Sequence, residues 1–241
     1  MRAWLTEGVL SAAAAAPEEL EGFVLGRGLP QNLFEEMKIG LWGRQPTPAS
    51  DEVYAKRNGE FGQKREGWMS VPIWSPRIQL IGVIYRLWDG NKEFRDYMLP
   101  ESKWAPAFIG LTPSVLQKIW DGGDIWVVEG LFDMTIGHVI PKKDVVLACG
   151  TANLSRLQVN FLKRFLAPTA MVHIVYDEDK TGRDHAAGYT DVKTGKYMPG
   201  VCDRLKRVGV RCRDVRYRGG KDPGIIWEAG GKPALAAAFN L

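Results

Sequence analysis

Apolar and polar positions alternate with two different rhythms along this chain. From about residue 121 onward, short apolar runs predict strands at Asp124 to Val128, Asp144 to Ala148, Val172 to Tyr176 and Val210 to Tyr217. Between them, helical spacing predicts helices at Leu131 to Val139, Leu154 to Leu166, Gly182 to Tyr189 and Val201 to Val208. The helix from Leu154 gathers Leu154, Leu157, Phe161, Leu162 and Phe165 on one side. Strands separated by helices predict a mostly parallel sheet with crossovers, an α/β fold. Residues 191–200, with Gly195 and Pro199, read as an insertion that cuts the helix before it.

The first half is less regular and rich in Trp, Gly and Pro, a mixed α+β pattern. The alanine-rich start reads as a first amphipathic helix. A signal peptide is the poorer reading, because Glu7 interrupts the apolar run and Glu18, Glu19 and Glu21 follow at once. Pro17 to Gly26 and Gln31 to Met37 predict short helices around Arg27-Gly28-Leu29-Pro30. Residues 44–67 are polar and predict a long loop. Val71 to Trp74 and Gln79 to Trp88 predict two strands of a meander, and Asp89-Gly90-Asn91 a turn. The change of rhythm divides the chain into domains at 1–120 and 121–241.

Composition narrows the class. The 241 residues are 45% hydrophobic, enough for a real core, and the formal net charge of +4 permits a nucleic-acid partner without requiring one. Cys149, Cys202 and Cys212 lack metal-site spacing and, with His138, His173 and His185, complete no zinc pattern. A disulfide framework is not indicated, which points to a reducing cytoplasm. No apolar run is long enough for a membrane span.

Chemistry concentrates in the acidic residues. Glu129 follows one apolar strand, and Asp177-Glu178-Asp179 follows another. In parallel α/β sheets, functional groups collect at the carboxyl ends of strands, and Glu129, Gly150-Thr151, Asp177 and Asp179 all fall there. Asp177 and Asp179 point the same way in extended backbone. Glu129 and Asp133 share a side if a helix begins at the glutamate. Crowded carboxylates repel, so such a cluster needs bound cations or raised pKa values. Oxygen ligands of this kind suit a hard divalent ion, Mg²⁺ or Mn²⁺. Taken alone, Asp177-Glu178-Asp179-Lys180 also fits a solvated turn with Thr181 capping the next helix. The joint pattern, each acidic piece behind its own strand, favours the metal.

Several segments together carry a resemblance. Val127-Val128-Glu129-Gly130-Leu131-Phe132-Asp133 resembles the V-V-E-G-x-x-D motif of TOPRIM domains in the form found in bacterial DnaG-type primases. Ala148-Cys149-Gly150-Thr151-Ala152 is similar to their A-x-x-G-T-A loop, Asp177 to Gly182 to their D-G-D-x-A-G segment, and Gly220-Lys221-Asp222-Pro223 to their closing G-K-D-P-D. Arg27-Gly28-Leu29, Met37-Lys38-Ile39-Gly40 and Ile81-Gly82-Val83-Ile84-Tyr85-Arg86 resemble signals of the amino-terminal part of the primase polymerase domain. The chain departs from the pattern at Glu178, where the family has glycine, and at Gly224, where it has the last aspartate. It departs again at Arg95-Asp96-Tyr97-Met98, where the family has K-Y-L-N.

The resemblance implies a Rossmann-like TOPRIM domain at 121–241, an amino-terminal subdomain at 1–120 that binds template and nucleotide, and synthesis of short RNA primers on single-stranded DNA. It makes Glu129, Asp177 and Asp179 catalytic metal holders of two ions, with Asp133 and Asp222 assisting. Arg27, Arg86, Arg95, Lys103, Lys180, Arg183 and Lys221 become the nucleic-acid or nucleotide contacts. Implied partners are the DNA template, ribonucleoside triphosphates, a replicative helicase and a separate zinc-binding module, in the cytoplasm of a bacterium or phage-infected host. The alternatives are a TOPRIM nuclease or a non-catalytic module that binds DNA or a helicase.

Two further groups lie outside those motifs. The basic run Arg204, Lys206, Arg207, Arg211, Arg213, Arg216, Arg218 and Lys221 fits either nucleic-acid contact or protection of a sheet edge. Trp42, Trp68 and Trp74 are the tryptophans best placed to stack on bases, and His173 reads as a satisfied core histidine.

Overall fold

Three wholly buried tetrapeptides, Ile125–Val128 (β5), Val145–Ala148 (β6) and Val172–Val175 (β7), form the centre of a parallel sheet. Burial on both faces is what a parallel sheet covered by helices requires, and it explains why these strands are uninterrupted apolar runs. Cys212–Asp214 (β10) pairs with β7 as the outer strand, giving the order β10-β7-β5-β6. The chain leaves β5 toward β6 on one side and leaves β7 toward β10 on the other. The sheet therefore reverses its winding between β5 and β7, and their carboxyl ends flank the crevice where doubly wound folds bind ligands.

The computed structural model describes residues 9–10, 12–14, 18–41, 68–86, 97–98 and 108–241. Trp42, the loop 44–67, the turn at Asp89-Gly90-Asn91, Arg95 and Lys103 lie outside the described residues. Two compact units are present, one of Met1–Leu25 with Gln31–Trp104 and one of Gly26–Pro30 with Ala105–Leu241.

In the first unit, Glu18–Gly26 (α1) and Gln31–Met37 (α2) precede an antiparallel sheet. Its strands are Gly40–Leu41 (β1), Met69–Trp74 (β2), Leu80–Arg86 (β3) and Tyr97–Met98 (β4), in that order. Val9, Ala12, Leu80 and Val83 form a buried cluster, with Trp68 and Trp74 packed against it. The indole N–H of Trp74 donates to the Met37 carbonyl. Trp68 and Trp74 thus serve this unit's core rather than standing out to receive bases, since their large apolar rings gain more from burial.

The second unit carries Pro113–Trp120 (α3), Arg156–Phe165 (α4), Lys180–Ala187 (α5), Val201–Arg207 (α6) and Pro223–Phe239 (α7) around its sheet. Thr112 caps α3, with Pro113 as its first residue. Helix α7 is broken at Gly230 and Gly231, whose backbones leave helical geometry just before Pro233. The predicted insertion is an antiparallel hairpin, Gly188–Thr190 (β8) with Tyr197–Pro199 (β9). Its turn is closed by Asp191, whose carboxylate accepts from the backbones of Lys193 and Thr194 and from the Thr194 hydroxyl. Val192 at the tip is 95% exposed.

Four sequence expectations change. The segment predicted as a helix over Leu131 to Val139 is a 3-10 helix, Phe132–His138, closed by three-residue hydrogen bonds such as Val139 to Ile136. β-Branched Thr135 and Ile136 followed by Gly137 weaken the α form there. Leu157 is 47% exposed rather than on the buried face of α4. Gln158 and Val159 are buried instead, because Gln158 completes a capping box with Ser155 and donates to the Cys149 carbonyl. The strand predicted over Val210 to Tyr217 shrinks to Cys212–Asp214, since Tyr217 turns away to donate its N–H to Glu178. Asp179, not Thr181, caps α5, accepting from Gly182 N–H at 2.9 Å.

The amino ends of the strands are held by a buried polar network. Asp124 accepts from Met171 N–H at 2.8 Å and pairs with His173 Nε2 at 2.9 Å. Arg213 Nε donates to His173 Nδ1 at 2.6 Å, so Nδ1 is the acceptor and Nε2 carries the proton given to Asp124. Burial, with Arg213 adjacent, holds the His173 pKa below its usual range, consistent with a neutral ring. Trp126 stacks on His173 at 4.3 Å and donates to Asp144 at 3.1 Å. His173 is a satisfied core histidine.

Candidate metal and nucleotide site

At the opposite ends of the same strands, Glu129 leaves β5 and Asp177 leaves β7. Glu129 Oε1 accepts the Asp177 backbone N–H at 3.1 Å, so the two acidic segments touch directly. Gly150, which has positive φ, donates its N–H to the Glu129 carbonyl at 2.8 Å. That bond draws the Gly150-Thr151 loop beside the glutamate, in a conformation that favours glycine. Asp133 Oδ2 accepts from Gly130 N–H at 2.8 Å, folding the 3-10 helix back toward Glu129. Asp222 caps α7 by accepting from Ile225 N–H.

Lys221 closes the group. Its ammonium lies 3.3 Å from Asp177 Oδ2 and 3.2 Å from Asp179 Oδ2. The sequence places Lys221 among nucleotide contacts; the structure engages it as a cation between two carboxylates. Gly182 permits the tight turn between the aspartates and α5, because a Cβ there would lie 2.2 Å from the Asp177 carbonyl oxygen. Gly224 is also enclosed: a Cβ would meet Asp222 Oδ1 at 3.3 Å and the Phe132 carbonyl at 3.4 Å. The first turn of α7 thus packs closely where the family pattern has an aspartate.

The electrostatics are those of a site short of positive charge. Burial, reinforced by the charges of Asp177 and Asp179, raises Glu129 to about 7. Burial also raises Asp133 to about 7, with Asp222 the strongest neighbouring charge. Asp177 is pushed up by burial even though Lys221 opposes the shift. Asp179 goes the other way, chiefly because Gly182 N–H bonds to its carboxylate.

Among the described residues, no three histidine, cysteine or carboxylate groups converge closely enough to hold an ion as they stand. The donor set nevertheless fits a hard cation. It is built of carboxylates: burial and neighbouring negative charge raise Glu129 and Asp133, and the Lys221 ammonium already bridges Asp177 and Asp179.

Glu178 is the residue whose role sequence reasoning missed. Its N–H donates to the Lys221 carbonyl at 2.8 Å, and its own carbonyl accepts from Arg183. Its carboxylate accepts from Tyr217 N–H at 3.3 Å and meets Arg183 at 3.2 Å and Arg216 at 3.7 Å. It ties the aspartate loop to the Lys221-Asp222 loop. The only signal in the sequence was the departure from glycine at that position.

Several other basic residues are also engaged. Arg27 pairs with Glu228, and its guanidinium lies 4.6 Å from the Phe132 ring centre. Arg204 bonds to Asn153 and Leu154, Arg211 to Thr169, Arg213 to His173 and Arg216 to Asp214. These arginines tie the edge of the sheet to its neighbours, and Arg211, Arg213 and Arg216 stay exposed along it. Lys180 is exposed at the start of α5, and Arg86 ends β3 in the first unit.

Residues 126–224 match a family model described as Toprim-like. No curated protein sequence matches the chain. Among solved structures, it is similar to the RNA polymerase domain of Mycobacterium tuberculosis primase DnaG in complex with double-stranded DNA. The TM-score is 0.65 at 17% identity, covering 98% of this chain and 78% of that one. The Aquifex aeolicus primase zinc-binding and RNA polymerase domains match with a TM-score of 0.61 and 20% identity over 98% of this chain, which spans 61% of that structure. A DnaG primase catalytic domain bound to single-stranded DNA matches with a TM-score of 0.58 and 16% identity, over 96% of this chain and 74% of that one. Residues 126–224 therefore match a Toprim-like family, and the chain shares the fold of these primase domains.

Proposed function

We propose that this protein is a DNA primase catalytic core, a nucleotidyltransferase that makes short RNA primers on single-stranded DNA. The observation that carries this reading is the contact of the Glu129 and Asp177 segments at the point where the sheet reverses its winding. The shared fold, and the nucleic acid bound in two of the related structures, support it.

In this reading Glu129, Asp177 and Asp179 hold divalent cations, Mg²⁺ or Mn²⁺, with Asp133 and Asp222 assisting. Such ions supply charge neutralisation at the phosphoryl group being transferred. The protein's own part is positional. The Glu129 carboxylate and the Asp177 backbone fix each other, Gly182 lets the aspartate loop turn sharply into α5, and Glu178 sets the Lys221-Asp222 loop against it. Lys221 balances the acidic cluster and stands ready for a triphosphate. The resemblance assigns template and nucleotide contacts to Arg86, Arg95 and Lys103 in the amino-terminal half and, separately, to Arg27, Lys180 and Arg183. The test is ribonucleotide incorporation on single-stranded DNA with Mg²⁺ or Mn²⁺. Incorporation that survives unchanged in Glu129→Gln and Asp177→Asn overturns the assignment.

A second reading, a non-catalytic module that binds DNA or a helicase, draws on one observation: Lys221 already bridges Asp177 and Asp179, and no described three-ligand group stands preformed. Calorimetry separates the two. DNA binding with no uptake of Mg²⁺ or Mn²⁺ favours the module.

A further inference from the structure

The sulfurs of Cys202 and Cys212 lie 2.9 Å apart, closer than two unbonded sulfurs normally rest, and both are free thiols. Cys202 sits in the first turn of α6 and Cys212 opens β10, so the pair straddles the turn at Val208-Gly209-Val210 that joins helix to strand. That turn is already tight: Val210 N–H reaches back to the Leu205 carbonyl, and Gly209 has positive φ. Two cysteines held this close by independent elements need little backbone movement to bond.

We propose that Cys202 and Cys212 form a reversible, peroxide-responsive disulfide that staples α6 to the edge strand of the sheet. This does not depend on the primase reading. The Cys202 thiolate attacks hydrogen peroxide. The O–O bond breaks, one oxygen stays on sulfur as a sulfenic acid, and the other leaves as hydroxide, which takes up the proton lost from the Cys202 thiol to give water. The Cys212 sulfur then attacks the Cys202 sulfur and the S–O bond breaks. The disulfide forms, and the hydroxyl leaves as a second water with the Cys212 proton. The two thiols lose two electrons and one peroxide becomes two waters.

The pair shares one proton between its sulfurs, so either can act as the first nucleophile, with Cys202 in that place in the steps above. The hydrogen bond between the two sulfurs stabilises a thiolate on one of them against the cost of burial, with Lys206 adding positive charge nearby. Cys212 is partly exposed and gives a molecule as small as peroxide a way in. Cys149 provides the contrast. It is buried, donates toward the carbonyls of Val128 and Thr151, and its pKa is pushed up to about 12. It is therefore inert under the same conditions.

The staple bears on parts of the domain beyond the pair. From α6, Arg204 holds Asn153 and Leu154 in the segment that follows Gly150-Thr151. From β10, Arg213 holds His173 and Asp214 holds Arg216. Bonding the two elements fixes both sets of contacts to one another.

The test uses the full chain, reduced, desalted and treated under native conditions with a small molar excess of hydrogen peroxide. Free thiols are then capped with N-ethylmaleimide after denaturation, and the protein is weighed by mass spectrometry. The expected result is a monomer with one maleimide, on Cys149, and the loss of two hydrogens. A non-reducing tryptic digest should join peptides 197–204 and 212–213, and dithiothreitol should restore three maleimides. The oxidised wild type should also melt at a higher temperature than the reduced protein, a shift absent in both Cys202→Ser and Cys212→Ser. Three maleimides after peroxide overturn the proposal. So do a sulfinic acid on Cys202 without a link, a link that includes Cys149, or links only between separate chains.

Discussion

Glu129 Oε1 accepts the backbone N–H of Asp177 at 3.1 Å, joining the ends of the two strands between which the sheet reverses its winding. The bond aims the glutamate at the turn that presents both aspartates, so the carboxylate acts on charge and geometry together. Replacing Glu129 with Gln keeps a carbonyl acceptor for that N–H while removing the charge. Primer synthesis should fall by about 100-fold or more, the scale seen when a group stabilising transition-state charge is removed. Thermal stability of the metal-free protein at neutral pH should not fall. Parallel incorporation assays and melting curves check this, and a melting temperature several degrees lower would show the role to be structural.

The same crowding predicts how stability depends on pH. Glu129 and Asp133 are raised to about 7, above their values in an unfolded chain. The folded state therefore binds more protons than the unfolded state between about pH 4 and 7. Their contribution is fully present below the unfolded pKa and is lost as pH rises through 7. Metal-free protein should lose melting temperature between pH 5 and 7.5, and saturating Mg²⁺ should flatten that slope. At pH 6.5, metal binding should release protons, read by calorimetry in buffers of different ionisation enthalpy.

Glu178 offers a test of the coupling between loops. Glu178→Ala removes the acceptor for Tyr217 N–H and the partner of Arg183 and Arg216. The expected cost is about 1–3 kcal/mol in denaturant unfolding, the range for a hydrogen bond made by a charged group. Primer synthesis should drop as the Lys221 loop loosens. Glu178→Gln, which still accepts from Tyr217, should recover part of both.

Much of this arrangement was legible in the sequence because it follows from apolar runs. Strands β5, β6 and β7 are buried on both faces, so each is an unbroken hydrophobic stretch, and the acids that follow them mark the strand ends. The hairpin was visible as an interruption by Gly195 and Pro199. Glu178 was not legible, because its partners lie on a segment almost forty residues away and pair with it only through the fold. The partners of Arg204, Arg211, Arg213 and Arg216 were not legible for the same reason: Leu154, Thr169, His173 and Glu178 lie far from them in the chain and are brought to them only by the fold. Gln158 broke the helical pattern because a polar residue with two backbone partners is as well satisfied in the core as a leucine.

Opposite the acids, the network around His173 predicts a separation of stability from chemistry. Asp124→Ala leaves Met171 N–H and His173 Nε2 without their acceptor, at a cost of about 2 kcal/mol or more. Because Asp124 lies at the amino end of β5, Mg²⁺ affinity should change less than twofold in the protein that remains folded. Urea unfolding and calorimetry on the same sample check both halves.

Gly182→Ala should be among the most disruptive small substitutions, because its Cβ would overlap the Asp177 carbonyl oxygen. Crowding of this kind typically costs about 1–3 kcal/mol. The strain falls on the turn between the aspartates and α5, so loss of Mg²⁺ uptake should accompany the lower midpoint.

The β8–β9 hairpin supplies its own closure through Asp191 and extends its tip at Val192 into solvent. A protrusion that satisfies its own backbone makes few demands on the rest of the chain. It is accordingly a natural port for engineering: an affinity tag, a fluorophore for distance measurements or a tether to another protein can be grafted at Val192 with the acidic end of the sheet left undisturbed.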